Sequence, residues 1–124
     1  MEDLAIFFFQ LSTQIKLYHW QTTSYARHIA SDTLYTTLLP LIDKFMEILQ
    51  GKLHSRVHLE SDEAIVKLRN LSNATMYDFL EKSVMYLQSL ESMGMLHHDD
   101  TDLINIRDDM MGTINQTLYL FTFQ

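Results

Sequence analysis

KLYHWQTTSYARHIASDTLYTTLLPLIDKFMEILQGK, residues 16–52, holds the end of one helical apolar pattern, a polar break and the whole of a second pattern. Upstream and into this stretch, Leu4, Phe8, Leu11, Ile15 and Tyr18 recur at steps of three and four, which makes one apolar stripe on an α-helix. The spacing predicts a first helix over about residues 3 to 21. The polar "QTTS" interrupts it, and Tyr35, Leu39, Ile42, Met46 and Leu49 then carry a new periodic run to Gly51. A second helix is expected over about residues 25 to 50, with Gly51 suited to its C-terminal cap. Pro40 lies inside it, where a missing backbone donor costs about 3 kcal/mol and predicts a kink or a break.

Downstream, "SDEAIVKLRNL" is expected to form a short helix started by Ser61, with Asp62 and Glu63 in its first turn and an end near Asn70 to Asn73. A cap-like Thr75, followed by Asp78, opens a third helix whose Phe79, Leu80, Met85 or Tyr86, Leu87 and Leu90 line a buried side. "GMLHHDDT" reads as a turn. Leu103, Ile106, Met110, Ile114, Leu118 and Phe121 then give the cleanest stripe in the chain and a fourth helix. Long helices with short connections pack as antiparallel neighbours, so the expected fold is an all-α antiparallel four-helix bundle with a short extra helix between helices two and three.

Composition narrows the function classes. With 124 residues, the chain is a single domain by size, able to bury roughly two thirds of its unfolded surface. A formal charge of -7 without a basic tail argues against direct, salt-driven DNA binding. The absence of cysteine excludes disulfides, thiolate metal sites and a cysteine nucleophile, and fits a reducing cytoplasm. "MEDLAIFFFQ" starts acidic and its apolar run is too short for a signal segment, so neither export nor a membrane span is expected.

The chemistry-bearing residues gather on helix two. With His28 at zero on a helical wheel, Asp32 falls near 40°, Asp43 near 60° and Glu47 near 100°. Histidine and carboxylates four apart project side by side and suit a hard or borderline metal. The two pairs lie roughly 16 Å apart along the axis, so one subunit cannot close them around one ion. Two antiparallel copies of the helix about a twofold axis would bring the His28/Asp32 end of one to the Asp43/Glu47 end of the other. The competing reading of the spacing is a solvated face with two ordinary i,i+4 pairs.

These residues resemble the iron-site segment of the mini-ferritins, the DNA-protection-during-starvation (Dps) family: His19-Trp20, then His28-x-x-x-Asp32, then Asp43-x-x-x-Glu47 and Gly51. The last helix is also similar, and the chain looks closer still to a group of small Dps-like proteins from phages and large DNA viruses. The resemblance implies a ferritin-like bundle and a ferroxidase centre between two subunits, where Fe(II) is oxidised by peroxide or oxygen. Carried over, His19, His28 and Asp32 would come from one subunit and Asp43 and Glu47 from its partner, around iron or another divalent metal. Trp20 would lie near the iron, the alternative being a core tryptophan. Partners implied are a second copy through helix two, in a dimer or a larger shell. The chain departs from the family in a His19–His28 gap three residues shorter, in Pro40 between the ligand pairs, and in a much reduced segment between helices two and three.

Other signals are weaker. His54 and His58 read as surface histidines, "HHDD" at residues 97–100 as an acidic turn and helix start, and Glu60-x-x-Glu63 as half of a metal motif with no second half. The Glu-x-x-His motif of single-bundle di-iron sites is absent. The alternative function, from a different class, is a non-enzymatic helical-bundle module that binds an unidentified protein partner.

Overall fold

Four α-helices build the computed structural model, which describes residues 1–123: α1 (Glu2–Gln21), α2 (Tyr25–Leu53), α3 (Asn73–Gln88) and α4 (Thr101–Leu120), with no strand among the described residues. A three-residue turn joins α1 to α2. Its Ser24 caps α2 by accepting the Arg27 backbone N–H at 3.3 Å, while the Ser24 N–H is held by the Thr22 hydroxyl at 3.2 Å.

Arg27 fixes one pole of the molecule. Its guanidinium donates to the Tyr18 hydroxyl at 3.1 Å, to the Asn73 carbonyl at 2.9 Å and to the Phe121 carbonyl at 3.2 Å. The end of α1, the start of α2, the start of α3 and the end of α4 therefore meet there. At the other pole, Lys52 near the end of α2 pairs with Asp100 and Asp102 at the start of α4, both at 2.8 Å. Buried Arg107 of α4 donates to the Leu87 carbonyl at the end of α3 at 2.9 Å and to Glu91 beyond it. It follows that α1 and α4 run one way, α2 and α3 the other, and residues 54–72 cross the length of the bundle.

That crossover corrects one expectation: residues 55–72 contain no helix, so the short helix expected from Ser61 is absent. Distance supplies the reason. Returning from the end of α2 to the pole where Arg27 meets Asn73 means climbing about 40 Å, at 1.5 Å of helical rise per residue. Residues 54–72 manage this only at roughly 2 Å each, so a helical stretch would pull the rest of the segment close to full extension. Buried Gln14 anchors the crossover to α1, its amide donating to the Arg69 carbonyl at 2.8 Å and accepting the Arg69 N–H at 3.0 Å.

Core packing follows the α1 and α4 stripes closely. Leu4, Phe8, Leu11, Ile15 and Tyr18 share one buried core with Leu103, Ile106, Met110, Ile114, Leu118 and Phe121, each fully buried large side chain contributing about 1.5–3 kcal/mol. Helix α2 differs from its stripe. Its core row is Ala30, Leu34, Leu38, Phe45 and Leu49, whereas Tyr35, Ile42 and Met46 are half-buried and Leu39 is exposed. The helix has two apolar rows, and the second turns toward a groove on the outside of the α1–α2 pair. In α3, Leu80 and Leu87 are buried, Met85 is exposed and Tyr86 stacks on Phe7 of α1 with ring centres 4.0 Å apart.

Three local expectations shift. Helix α2 runs past Gly51 and ends at Leu53, capped by His54 in the left-handed conformation (φ 50°, ψ 41°). Helix α3 starts three residues earlier than expected, with Ser72 in place of Thr75 as its cap and Thr75 closing a reciprocal capping box. Pro40 does not break α2: both Pro40 and Thr36, whose carbonyl it leaves without a donor, are exposed, which leaves that carbonyl open to solvent. No helix among the described residues is long and apolar enough to cross a membrane.

Candidate metal centre

The turn at residues 22–24 sets the last turn of α1 beside the first turn of α2, and this places His19 against His28. Their rings stack with centres 3.9 Å apart and planes 16° from parallel. The shorter His19–His28 gap therefore does not separate the two histidines.

Their hydrogen bonds are reciprocal. His19 Nδ1 lies 2.7 Å from the His28 carbonyl, and His28 Nδ1 lies 3.0 Å from the His19 carbonyl. A carbonyl oxygen only accepts, so in each ring Nδ1 is the protonated nitrogen. In the neutral rings, both Nε2 atoms then carry a lone pair, the state a metal-ligating imidazole requires. The same clasp gives the His19 carbonyl, in the last turn of α1, a donor that the helix cannot supply. Buried Ser31 completes it by donating to the His28 carbonyl at 3.1 Å, with its oxygen 3.4 Å from His19 Nδ1.

Asp32, one turn beyond His28, brings a carboxylate oxygen to 4.0 Å from His19 Nε2. The same oxygen lies 3.8 Å from Lys16 Nζ, which also sits over the Tyr35 ring at 4.6 Å. The His19 side chain is 12% exposed and that of Asp32 50%, so the cluster meets solvent on its carboxylate side. Lys16 is a charged neighbour of the cluster that the motif reading passed over. Its position three residues before His19, on the same helix face, was the available signal.

Asp43 and Glu47 stay apart from this cluster. Both are exposed and form no ion pair among the described residues. Asp43 borders the outer groove between α1 and α2, with Phe9, Ser12, Leu39, Ile42, Met46 and Val57, and Glu47 borders a polar bowl with His54 and Arg56. No group of three or more His, Asp or Glu side chains within the described residues is close enough to hold an ion. One chain thus presents two imidazoles beside a carboxylate at one end of α2, and two further carboxylates at the other. Trp20 is 71% exposed, which rules out the core position. His54, His58, His97 and His98 are all on the surface.

Fold and cluster together define an all-α helical bundle with a histidine-carboxylate cluster at one end of the α1–α2 pair and an open groove farther along it. The chain belongs to the family of unknown function DUF5856, whose model matches residues 19–121 and so includes all five candidate ligands. No curated protein and no solved structure matches the chain.

Proposed function

We propose that this protein binds a divalent metal, iron by its resemblance to the Dps-like mini-ferritins, at sites shared between two copies packed through their α1–α2 faces. The observation that carries the reading is the His19–His28 clasp, which leaves both Nε2 lone pairs available beside Asp32. Two imidazoles with carboxylates form a donor set suited to Fe(II). His19, His28 and Asp32 of one copy would hold the ion together with Asp43 and Glu47 of the second. Fe(II) would be the substrate there, giving up an electron to peroxide or oxygen.

Two further features support the reading. A single long crossover between parallel α2 and α3 is the connectivity of ferritin-like bundles. The second apolar row of α2, with Leu39 exposed and Phe9 beside it, supplies the surface a homodimer would cover, in a pair or a larger shell. Anaerobic Fe(II) titration followed by peroxide tests it. Saturable binding with oxidation, both lost in the Asp43→Ala/Glu47→Ala double variant while the fold is kept, is the expected result; binding unchanged in that variant contradicts it.

One observation favours the alternative, a non-enzymatic bundle that engages a protein partner. Lys16 already stands 3.8 Å from Asp32, so the carboxylate has a counter-charge without a metal. Under that reading, removing Asp43 and Glu47 changes no metal binding and leaves stability unaltered or slightly raised.

A further inference from the structure

The crossover carries a feature that neither the metal cluster nor the bundle uses. Among the described residues, none of the backbone N–H groups of residues 63–68 meets an acceptor within the chain, and Ile65 is 84% exposed although flanked by Ala64 and Val66. These donors are left for solvent or a partner chain, and Ile65 and Val66 are β-branched residues that favour strands. The segment's charges are arranged symmetrically. In a strand, Glu63, Ile65 and Lys67 fall on one face, acid and base equidistant from the isoleucine.

We propose that residues 63–67 pair with the same residues of a second copy as antiparallel strands about a twofold axis through Ile65. In that register Glu63 stands opposite the partner's Lys67, Lys67 opposite the partner's Glu63, and Ile65 opposite the partner's Ile65. Opposite charges meet twice and the exposed isoleucine is covered by its own copy, which is the cross-strand pairing that stabilises sheets. A parallel pairing in register would set Glu63 against Glu63 and Lys67 against Lys67, and the like charges disfavour it.

Position supports this occupant. Val57 lies in the outer α1–α2 groove, while Arg69 is clipped to Gln14, about 160° around α1 from the groove residue Ser12. Residues 58–68 therefore pass from one flank of α1 to the other, continuous with the surface assigned above to the second copy. The strand pairing needs no metal and stands independently of the metal reading.

The chain contains no cysteine, which makes cross-linking a clean test. Facing residues of paired strands have Cα atoms about 4.5–5.5 Å apart, within disulfide reach. In EDTA, under mild oxidation, Ile65→Cys is expected to give a covalent dimer and Leu59→Cys a monomer. Sedimentation of the metal-free protein should show a dimer whose Kd rises about tenfold in Glu63→Lys and returns to within about threefold of the original in Glu63→Lys/Lys67→Glu. A protein that stays monomeric at every concentration, or a dimer indifferent to both charge changes, overturns the pairing. A dimer lost in Leu39→Glu but unaffected at Glu63 and Lys67 also overturns it, while leaving the helix-face assembly and its metal site standing.

Discussion

The two ends of α2 carry similar ligand chemistry in different states of preparation. At the His28/Asp32 end, the turn from α1 folds a second histidine onto the first, and two carbonyls fix the tautomer of each ring. At the Asp43/Glu47 end, two carboxylates of the same helix face stand in solvent without an ion-pair partner among the described residues. The difference lies in what α1 brings. Near its C-terminus it supplies His19 and Lys16; toward its N-terminus it supplies Ala5, Phe8, Phe9 and Ser12 to the groove that Asp43 borders, and no charged side chain. Under the proposed function, α2 would contribute the organised half of one site and the accessible half of the other.

The largest expected effect that separates the ends is on stability. His19→Ala removes the donor to the His28 carbonyl and the stacked ring, and is expected to cost about 1–3 kcal/mol in urea unfolding. Asp43→Ala and Glu47→Ala are expected to stay within about 0.5 kcal/mol of the parent. Equal costs at the two ends would mean that the clasp organises nothing.

Charge sharpens the contrast on a smaller scale. If Lys16 competes with a metal for Asp32, then Lys16→Met raises metal affinity up to about fivefold at low salt. Most of the gain should fade at high salt as screening weakens the parent's lysine–aspartate pair. An affinity that is unchanged in isothermal titration at both salt concentrations would remove Asp32 from the ligand set.

A smaller effect belongs to the opposite pole, where the charges are structural. Hydrogen bonding to Lys52 holds the Asp100 and Asp102 carboxyls below their ordinary 3.8, with the His97 N–H also acting on Asp100, and the two aspartates hold Lys52 above its ordinary 10.5. The carboxylate contribution is complete above pH 3.8 and is lost as pH falls through the lowered folded-state values. The lysine contribution is complete below pH 10.5 and is lost as pH rises through the raised value. Urea midpoints should therefore fall more steeply below pH 3.8 in the parent than in Lys52→Met; parallel curves would show that the pair adds nothing.

Legibility in the sequence followed the number of demands on each segment. Helices α1 and α4 each carry one dominant apolar row, and every residue of both expected stripes is buried. Helix α2 serves the core and a groove at once, so of its expected row Tyr35, Leu39, Ile42, Met46 and Leu49 only Leu49 is fully buried, Leu39, Ile42 and Met46 line the groove, and Leu34, Leu38 and Phe45 make the core. The crossover misled for a different reason. Its local pattern suits a helix, but the span it must bridge does not, and its anchor at Gln14 joins residues 55 apart in sequence. Spacing brought out His28 with Asp32 and Asp43 with Glu47, since both pairs are i,i+4. The stacking of His19 on His28 was not legible, because it depends on the turn conformation around Thr22 and Ser24.

Subunit complementation tests the shared site most directly. A His28→Ala/Asp32→Ala chain and an Asp43→Ala/Glu47→Ala chain each lack half of every site, and neither alone should bind Fe(II) in a saturable way. Mixed in equal amounts and allowed to exchange, half of the dimers become heterodimers with one intact site, so binding should return to about a quarter of the parent's capacity. No recovery in a mixture shown to contain heterodimers, or full binding by either chain alone, would contradict a metal centre built from two copies of α2.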